Sequence, residues 1–149
     1  MQNSGIILRL SVALILGMLI GVERVLVHKE AGMKTHALVS MGAALFIIIS
    51  EYLSIRYTGF TGFNPGLMAA NIIIGIGFLG AGAIIFQNSR VTGLTTASGL
   101  WVTAGIGIAS GFGLFSLAII STILVLLVFI ILNIFEKPIR KYSDKKSEN

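Results

Sequence analysis

The sequence from Asn71 to Gly113 reads NIIIGIGFLGAGAIIF (71–86), QNSRVTG (87–93) and LTTASGLWVTAGIGIASGFG (94–113). Two apolar runs are joined by a short polar link, which predicts two helices lying side by side. In lipid, small residues let helix backbones approach closely, so this hairpin is predicted to be the packed centre of a membrane protein. The residues expected at these contacts are Gly75, Gly77, Gly80 and Gly82 in the first run, and Thr95, Gly99, Thr103, Gly107 and Gly111, spaced four apart on one helix face, in the second.

The composition also indicates an integral membrane protein. The chain has 149 residues, of which 55% are hydrophobic and 11% charged, whereas soluble domains carry about 25% charged residues. The mean hydropathy is +0.94. The sequence contains no cysteine, which excludes disulfides and thiolate metal sites. The net charge of +5 comes from cations at the ends of apolar runs, a pattern typical of membrane flanks rather than of nucleic-acid binding.

Because a span needs about 20 apolar residues, the sequence predicts an all-α bundle of five transmembrane helices. The predicted spans are 6–22, 37–57, 67–87, 94–112 and 114–135, with a loop at 58–66 and a basic tail at 136–149 whose end is expected to be disordered. The first run is expected to be a retained span rather than a cleaved signal peptide. Nine of the eleven Lys and Arg residues would share one side, which predicts an outside N-terminus and a cytoplasmic C-terminus.

Polar residues gather at the predicted cytoplasmic ends of the spans and form a candidate functional rim: Glu23, Arg24, Lys34, Thr35, His36, Thr95 and Thr96. Glu23 and Arg24 form either an interfacial pair or a carboxylate that binds a cation or a partner. Thr95 or Thr96 is expected to cap the fourth helix, although a helix N-terminus can also hold an anion.

A second candidate set lies inside the spans and comprises Glu51, Asn71 and Thr103. Carboxylates within membranes are costly and mark functional sites, but Glu51 lies near a span end, where pairing with Arg56 is the alternative. Asn71 could bond across helices, and threonines bond to their own helix carbonyls. The glycines at 75, 77 and 80 match a dinucleotide fingerprint in letters only, since the preceding strand and a following acidic residue are missing. We identify no catalytic residues, cofactor or metal ligands, so an enzyme is the weakest class.

Four sequence blocks in order resemble the MgtC/SapB family of bacterial membrane proteins. They are GVER (21–24), AGMKTHALV (31–39), GIGFLGAG (75–82) and GLTTA (93–97) followed by Leu100-Trp101. The resemblance implies a five-helix protein of the bacterial inner membrane, linked to magnesium limitation and stress survival. It also implies action through other membrane proteins, including the F-type ATP synthase. Two positions depart from the family pattern, because Leu67 stands where an arginine is usual and Asn71 where a glutamine is usual.

Three functions remain open from the sequence. The first is a non-enzymatic membrane regulator, with the rim as its recognition surface and the glycine hairpin as a contact for a partner helix or for a homo-oligomer. The second is a small ion or solute transporter, with Glu51, Asn71 and threonines along its path. The third is a structural component whose basic tail binds the lipid bilayer.

Overall fold

The computed structural model describes residues 3–57, 64–87 and 90–147, with side chains described as far as residue 135. Within these ranges the chain forms five helices and one small antiparallel hairpin. The helices are α1 (Asn3–Leu26), α2 (Met33–Arg56), α3 (Pro65–Gly82), α4 (Leu94–Gly111) and α5 (Phe115–Ser147), and the strands are β1 (Ile85–Gln87) and β2 (Arg90–Thr92). The predicted five-helix membrane bundle is confirmed.

The centre of the bundle is α2 with α1 and α4 on either side, because the contacts of α2 with these two helices are the most extensive between helices. Glycines permit this packing. A Cβ atom at Gly17 of α1 would lie 2.5 Å from the His36 carbonyl oxygen, and one at Gly107 of α4 would lie 2.1 Å from the Ser40 carbonyl oxygen. One at Gly111 would lie 2.8 Å from the Ile47 side chain. The backbone of α2 therefore lies directly against the small-residue faces of both neighbours.

The glycines of α3 behave differently from those of α4. A Cβ atom at Gly75, Gly77 or Gly82 would meet no atom within 4 Å, and one at Gly80 would meet the Ala97 Cβ at 3.7 Å, an ordinary contact. The prediction that the α3–α4 hairpin forms the packed centre is therefore wrong for α3. Four-residue spacing identifies a face that can pack closely, but it does not specify the helix against which that face packs.

The predicted third span, 67–87, extends too far. In the structure α3 ends at Gly82, and the chain then forms the β1–β2 hairpin with Ile85 opposite Thr92 and Gln87 opposite Arg90. The residues around this link are rich in β-branched and aromatic side chains, which favour strands over helices.

Four helices are long and apolar enough to cross a membrane: α1, α2, α3 and the Phe115–Phe135 part of α5. The fifth, α4, is the most buried and is rich in Gly, Ser and Thr. The helix α5 continues through the polar segment to Ser147, so most of the predicted tail is helical. Residues 148–149, at the predicted tail end, and 58–63 of the predicted loop lie outside the described residues. The last two residues of the predicted loop, Pro65 and Gly66, belong to α3. The orientation in the membrane stays a prediction.

Two apolar clusters hold α4 in place. One joins Leu16 and Ile20 of α1 with Ile106 of α4 and Ala118 of α5. The other joins α2, α3 and α4 through Ala43, Ile76 and Ala104. Burial of apolar area contributes about 25 cal/mol per Å² in water, but within lipid close packing is the main source of helix association.

Candidate functional site

A buried ion pair lies at the end of the bundle where α1 ends and α2 begins, which we call the rim. Glu23 and Arg24 are only 7% and 3% exposed, and the Arg24 guanidinium donates to the Glu23 carboxylate. The guanidinium also lies 3.7 Å from the centre of the Phe129 ring on α5, a favourable cation–π geometry. The pair is therefore buried between helices at this end of the bundle.

His36, in the first turns of α2, belongs to the same buried cluster. Its side chain is fully buried, and Nδ1 donates to the Gly32 carbonyl oxygen at 3.0 Å. In the neutral ring Nε2 is then an acceptor. A Cβ atom at Gly99 of α4 would lie 3.5 Å from this Nε2, so the imidazole lies directly against the α4 backbone.

Three buried polar atoms of this region have no hydrogen-bond partner among the described residues: Glu23 Oε1, His36 Nε2 and Ser40 Oγ. An unpaired buried polar atom costs about 1–3 kcal/mol. The Glu23 and His36 atoms are both acceptors, so the cluster can take hydrogen-bond donors such as water. We call Glu23, Arg24, His36 and Phe129 the buried cluster.

The other predicted rim residues do not join the buried cluster. Lys34, Thr35 and Thr95 are exposed, whereas Thr96 is buried. Thr95 and Thr96 line a cavity of about 420 Å³ between the α1–α2 connection and the N-terminus of α4. We call this cavity the rim cleft; its polar lining is His28, Lys29, Glu30, Thr92, Thr95 and Thr96. The rim therefore has two parts, one sealed and one open.

The prediction that Thr95 or Thr96 caps α4 is wrong. The N-cap residue is Gly93, with φ 87° and no side-chain hydrogen bond to the helix. A Cβ atom at Gly93 would lie 1.8 Å from the Ala83 carbonyl oxygen, so no residue with a capping side chain can stand there. The first amide with a backbone acceptor at this end is that of Ala97, which donates to the Gly93 carbonyl oxygen at 2.8 Å.

A second ion pair lies at the opposite end of the bundle. Arg9 of α1 donates to the Glu51 carboxylate of α2 and to the Gly111 carbonyl oxygen of α4 at 3.0 Å. The alternative pairing of Glu51 with Arg56 is not found, because Glu51 pairs with Arg9 and Arg56 donates to the Tyr52 hydroxyl at 3.1 Å. Arg9 thus ties three helices together.

We expect Glu51→Gln to lower the free energy of unfolding by about 1 kcal/mol, because the pair is partly exposed and Arg9 keeps its Gly111 bond. Unfolding in mixed detergent micelles measures this loss. Arg9→Gln should cost more, since it removes both bonds. Equal losses for the two variants would contradict the three-helix role of Arg9.

The predicted intramembrane polar residues are not brought together. Thr103 is fully buried and donates to the Gly99 carbonyl oxygen of its own helix at 2.7 Å. Asn71 is exposed and lines an apolar groove of about 490 Å³ between α2 and α3. Glu51 lies at the end opposite the rim, in its pair with Arg9. The three residues therefore line no common path.

Two residues of the buried region carry no signal in the sequence. Phe129 lies in an aliphatic run, and only the packing of α5 on α1 reveals its contact with Arg24. Ser40 lies one turn after His36 and is fully buried against Gly17 and Gly107. Among the described residues, no group of three or more His, Cys, Asp or Glu side chains could hold a metal ion.

The amino-acid sequence of the chain is similar to those of known bacterial proteins. The chain is 43% identical over 97 residues to the Escherichia coli (strain K12) protein named "Putative magnesium transporter YhiD", covering 62% of this chain and 44% of that protein. It is 47% identical over 92 residues to Protein MgtC of Salmonella typhimurium (strain LT2), covering 62% and 37%. The matched region thus spans less than half of each relative, and no solved structure matches the chain. The MgtC family profile matches residues 10–138, and the chain therefore belongs to the MgtC family.

Proposed function

We propose that this multi-pass membrane protein is a non-enzymatic regulator of the bacterial inner membrane, linked to magnesium limitation and stress, that acts by contacting other membrane proteins. The observation that carries the proposal is that three glycines of α3 are uncovered. Gly17, Gly107 and Gly111 lie against α2, whereas Cβ atoms at Gly75, Gly77 and Gly82 would meet nothing within 4 Å. In lipid, uncovered small residues of this kind are typical contacts for another helix.

The interior of the bundle supports a regulator over a transporter. Buried hydroxyls of Thr103, Ser110 and Thr122 donate to carbonyls of their own helices. The Glu23–Arg24 pair and the Arg9–Glu51 pair lie at opposite ends, with the apolar clusters between them. A solute path needs polar groups facing a shared cavity, and the described residues provide none through the centre of the bundle.

The magnesium link comes from the relatives. One is named "Putative magnesium transporter YhiD", and the family resemblance implies a link to magnesium limitation. We therefore place the chain in the same physiological setting. The membrane part of the F-type ATP synthase is the first partner to test, and a second copy of the chain is the alternative.

Site-specific cross-linking tests the proposal, and the absence of cysteine makes it simple, because one introduced thiol is unique in the chain. We expect Ile74→Cys, on the exposed side of α3, to give adducts with a partner in membranes. Leu124→Cys on α5 is the matched control, since both side chains are exposed and apolar. An adduct of twice the chain mass identifies a homo-oligomer, and a larger one is checked against ATP synthase subunits.

A second variant separates specific contact from random collision. Gly77→Leu should remove the Ile74→Cys adduct without changing stability, because Gly77 touches nothing within the chain. The proposal is wrong if Ile74→Cys and Leu124→Cys cross-link equally and the purified protein moves magnesium across liposome membranes.

A further inference from the structure

We propose that the rim cleft binds a phosphate group, which is held by the open N-terminus of α4 and by Lys29. The inference concerns a ligand site that the regulator role does not require. The cleft lies where the α1–α2 connection faces the β1–β2 hairpin and the start of α4. At about 420 Å³ it is large enough for a small anion or a lipid headgroup.

The first argument concerns the backbone amides of α4. An α-helix leaves its first N–H groups without intrahelical acceptors, and side-chain caps normally satisfy some of them. Here Gly93 supplies no cap, and its contact with the Ala83 carbonyl oxygen excludes any larger residue. The amides at the start of this 18-residue helix therefore remain available to an acceptor from outside. The helix dipole favours a negatively charged one.

The second argument is independent of the helix geometry and concerns Thr96. This side chain is only 6% exposed and lines the cleft. No hydrogen bond of its hydroxyl is found among the described residues, and the oxygen is not one of the fully enclosed atoms named above. Other buried hydroxyls of α4 and α5 donate to carbonyl oxygens of their own helices: those of Thr103, Ser110 and Thr122. Ser98, one turn into α4, does the same with the Leu94 carbonyl oxygen at 2.9 Å. Thr96 is thus an unused donor at the inner wall of the cleft.

The charged side chains on the wall are one cation and one carboxylate, so they do not by themselves select an anion. The cleft is lined by the ammonium-bearing Lys29, the carboxylate-bearing Glu30 and the imidazole of His28. Lys29 and Glu30 are both exposed, so their opposite charges act through water at the mouth. The wall formed by residues 93–96 carries no charged side chain, and Thr95 and Thr96 are its hydroxyl-bearing residues. A phosphate oxygen at the helix N-terminus would satisfy these donors.

Substitutions of opposite sign provide the test. We expect Lys29→Gln to weaken phosphate binding about tenfold and Glu30→Gln to strengthen it about threefold, as charge-assisted bonds and nearby like charges require. Thr96→Val keeps the shape of the side chain and should weaken binding about fivefold. Lys34→Gln is the matched control, because it removes an exposed rim cation that does not line the cleft.

Two arms identify the source of the phosphate group. Calorimetric titration of the full chain in uncharged detergent with inorganic phosphate tests a free anion. Mass spectrometry of lipid retained from mixed phosphatidylglycerol and phosphatidylcholine micelles tests a headgroup. Binding in either arm supports the site if the affinities of the variants follow the order given above.

Three results would overturn the inference. The first is that neither arm shows binding. The second is that Lys29→Gln and Lys34→Gln weaken phosphate binding equally, as diffuse charge attraction would predict. The third is that Lys29→Gln strengthens binding and Glu30→Gln weakens it, as a bound cation would predict. Retained helicity and unfolding midpoint of each variant confirm that the fold is intact. A failed cross-linking experiment at α3 would leave this test unaffected.

Discussion

Replacing Gly107 with alanine is expected to lower the free energy of unfolding by at least about 3 kcal/mol, the upper part of the range for overpacked cores. The added methyl group would lie 2.1 Å from the Ser40 carbonyl oxygen and 2.8 Å from its Cα atom. Both obstacles are backbone atoms of α2, so no rotamer change can relieve the clash, and α2 would have to separate from α4. Equilibrium unfolding in mixed micelles measures the loss.

Gly105 provides the control within the same helix. A methyl group there would meet no atom within 4 Å, and alanine is the better helix former by about 1 kcal/mol in water. We therefore expect Gly105→Ala to be neutral or slightly stabilising. Equal destabilisation by both substitutions would mean that helix propensity, rather than contact with α2, governs these glycines.

This contrast shows how much of the fold the sequence could predict. The four-residue spacing of Gly99, Gly107 and Gly111 identified a close-contact face, and that face is packed. Its partner is α2, however, rather than the adjacent α3. Residue size determines how closely a backbone can approach, whereas the choice of partner depends on the arrangement of all the helices. Small residues alone could not distinguish the packed glycines of α4 from the open ones of α3.

The charged residues show the same limit. The sequence identified Glu23, Arg24 and His36 as functional candidates, and the structure gathers all three in one buried cluster. It did not reveal that Glu51 pairs with Arg9, which lies 42 positions earlier, because local spacing favoured Arg56. Pairing across helices follows from the antiparallel course of α1 and α2, and no pattern within either segment encodes it.

The rim cleft could not be predicted because it depends on one backbone conformation. A left-handed residue at position 93 lets the β1–β2 hairpin fold against α4, while the missing side chain leaves the helix amides uncapped. The residues Thr-Thr after a glycine are typical of a capped helix start. What prevents a side-chain cap at position 93 is the Ala83 carbonyl oxygen, whose close approach to Gly93 is visible only in the folded chain.

Replacing Arg24 with methionine is expected to cost about 3–5 kcal/mol of unfolding free energy, because it leaves the Glu23 carboxylate buried without its partner. The change also removes the contact with Phe129. In the double variant Glu23→Met/Arg24→Met no charge remains to be desolvated, so we expect it to recover at least about 2 kcal/mol of the loss. Lys34→Met, an exposed cation on the same rim, should change stability by less than about 0.5 kcal/mol. With Glu23→Met added as the second single variant, unfolding of the wild type, the two single variants and the double variant in mixed micelles gives the coupling energy. If the double variant is no more stable than Arg24→Met, the loss comes from the contact of Arg24 with Phe129 on α5 and not from an unpaired Glu23 carboxylate.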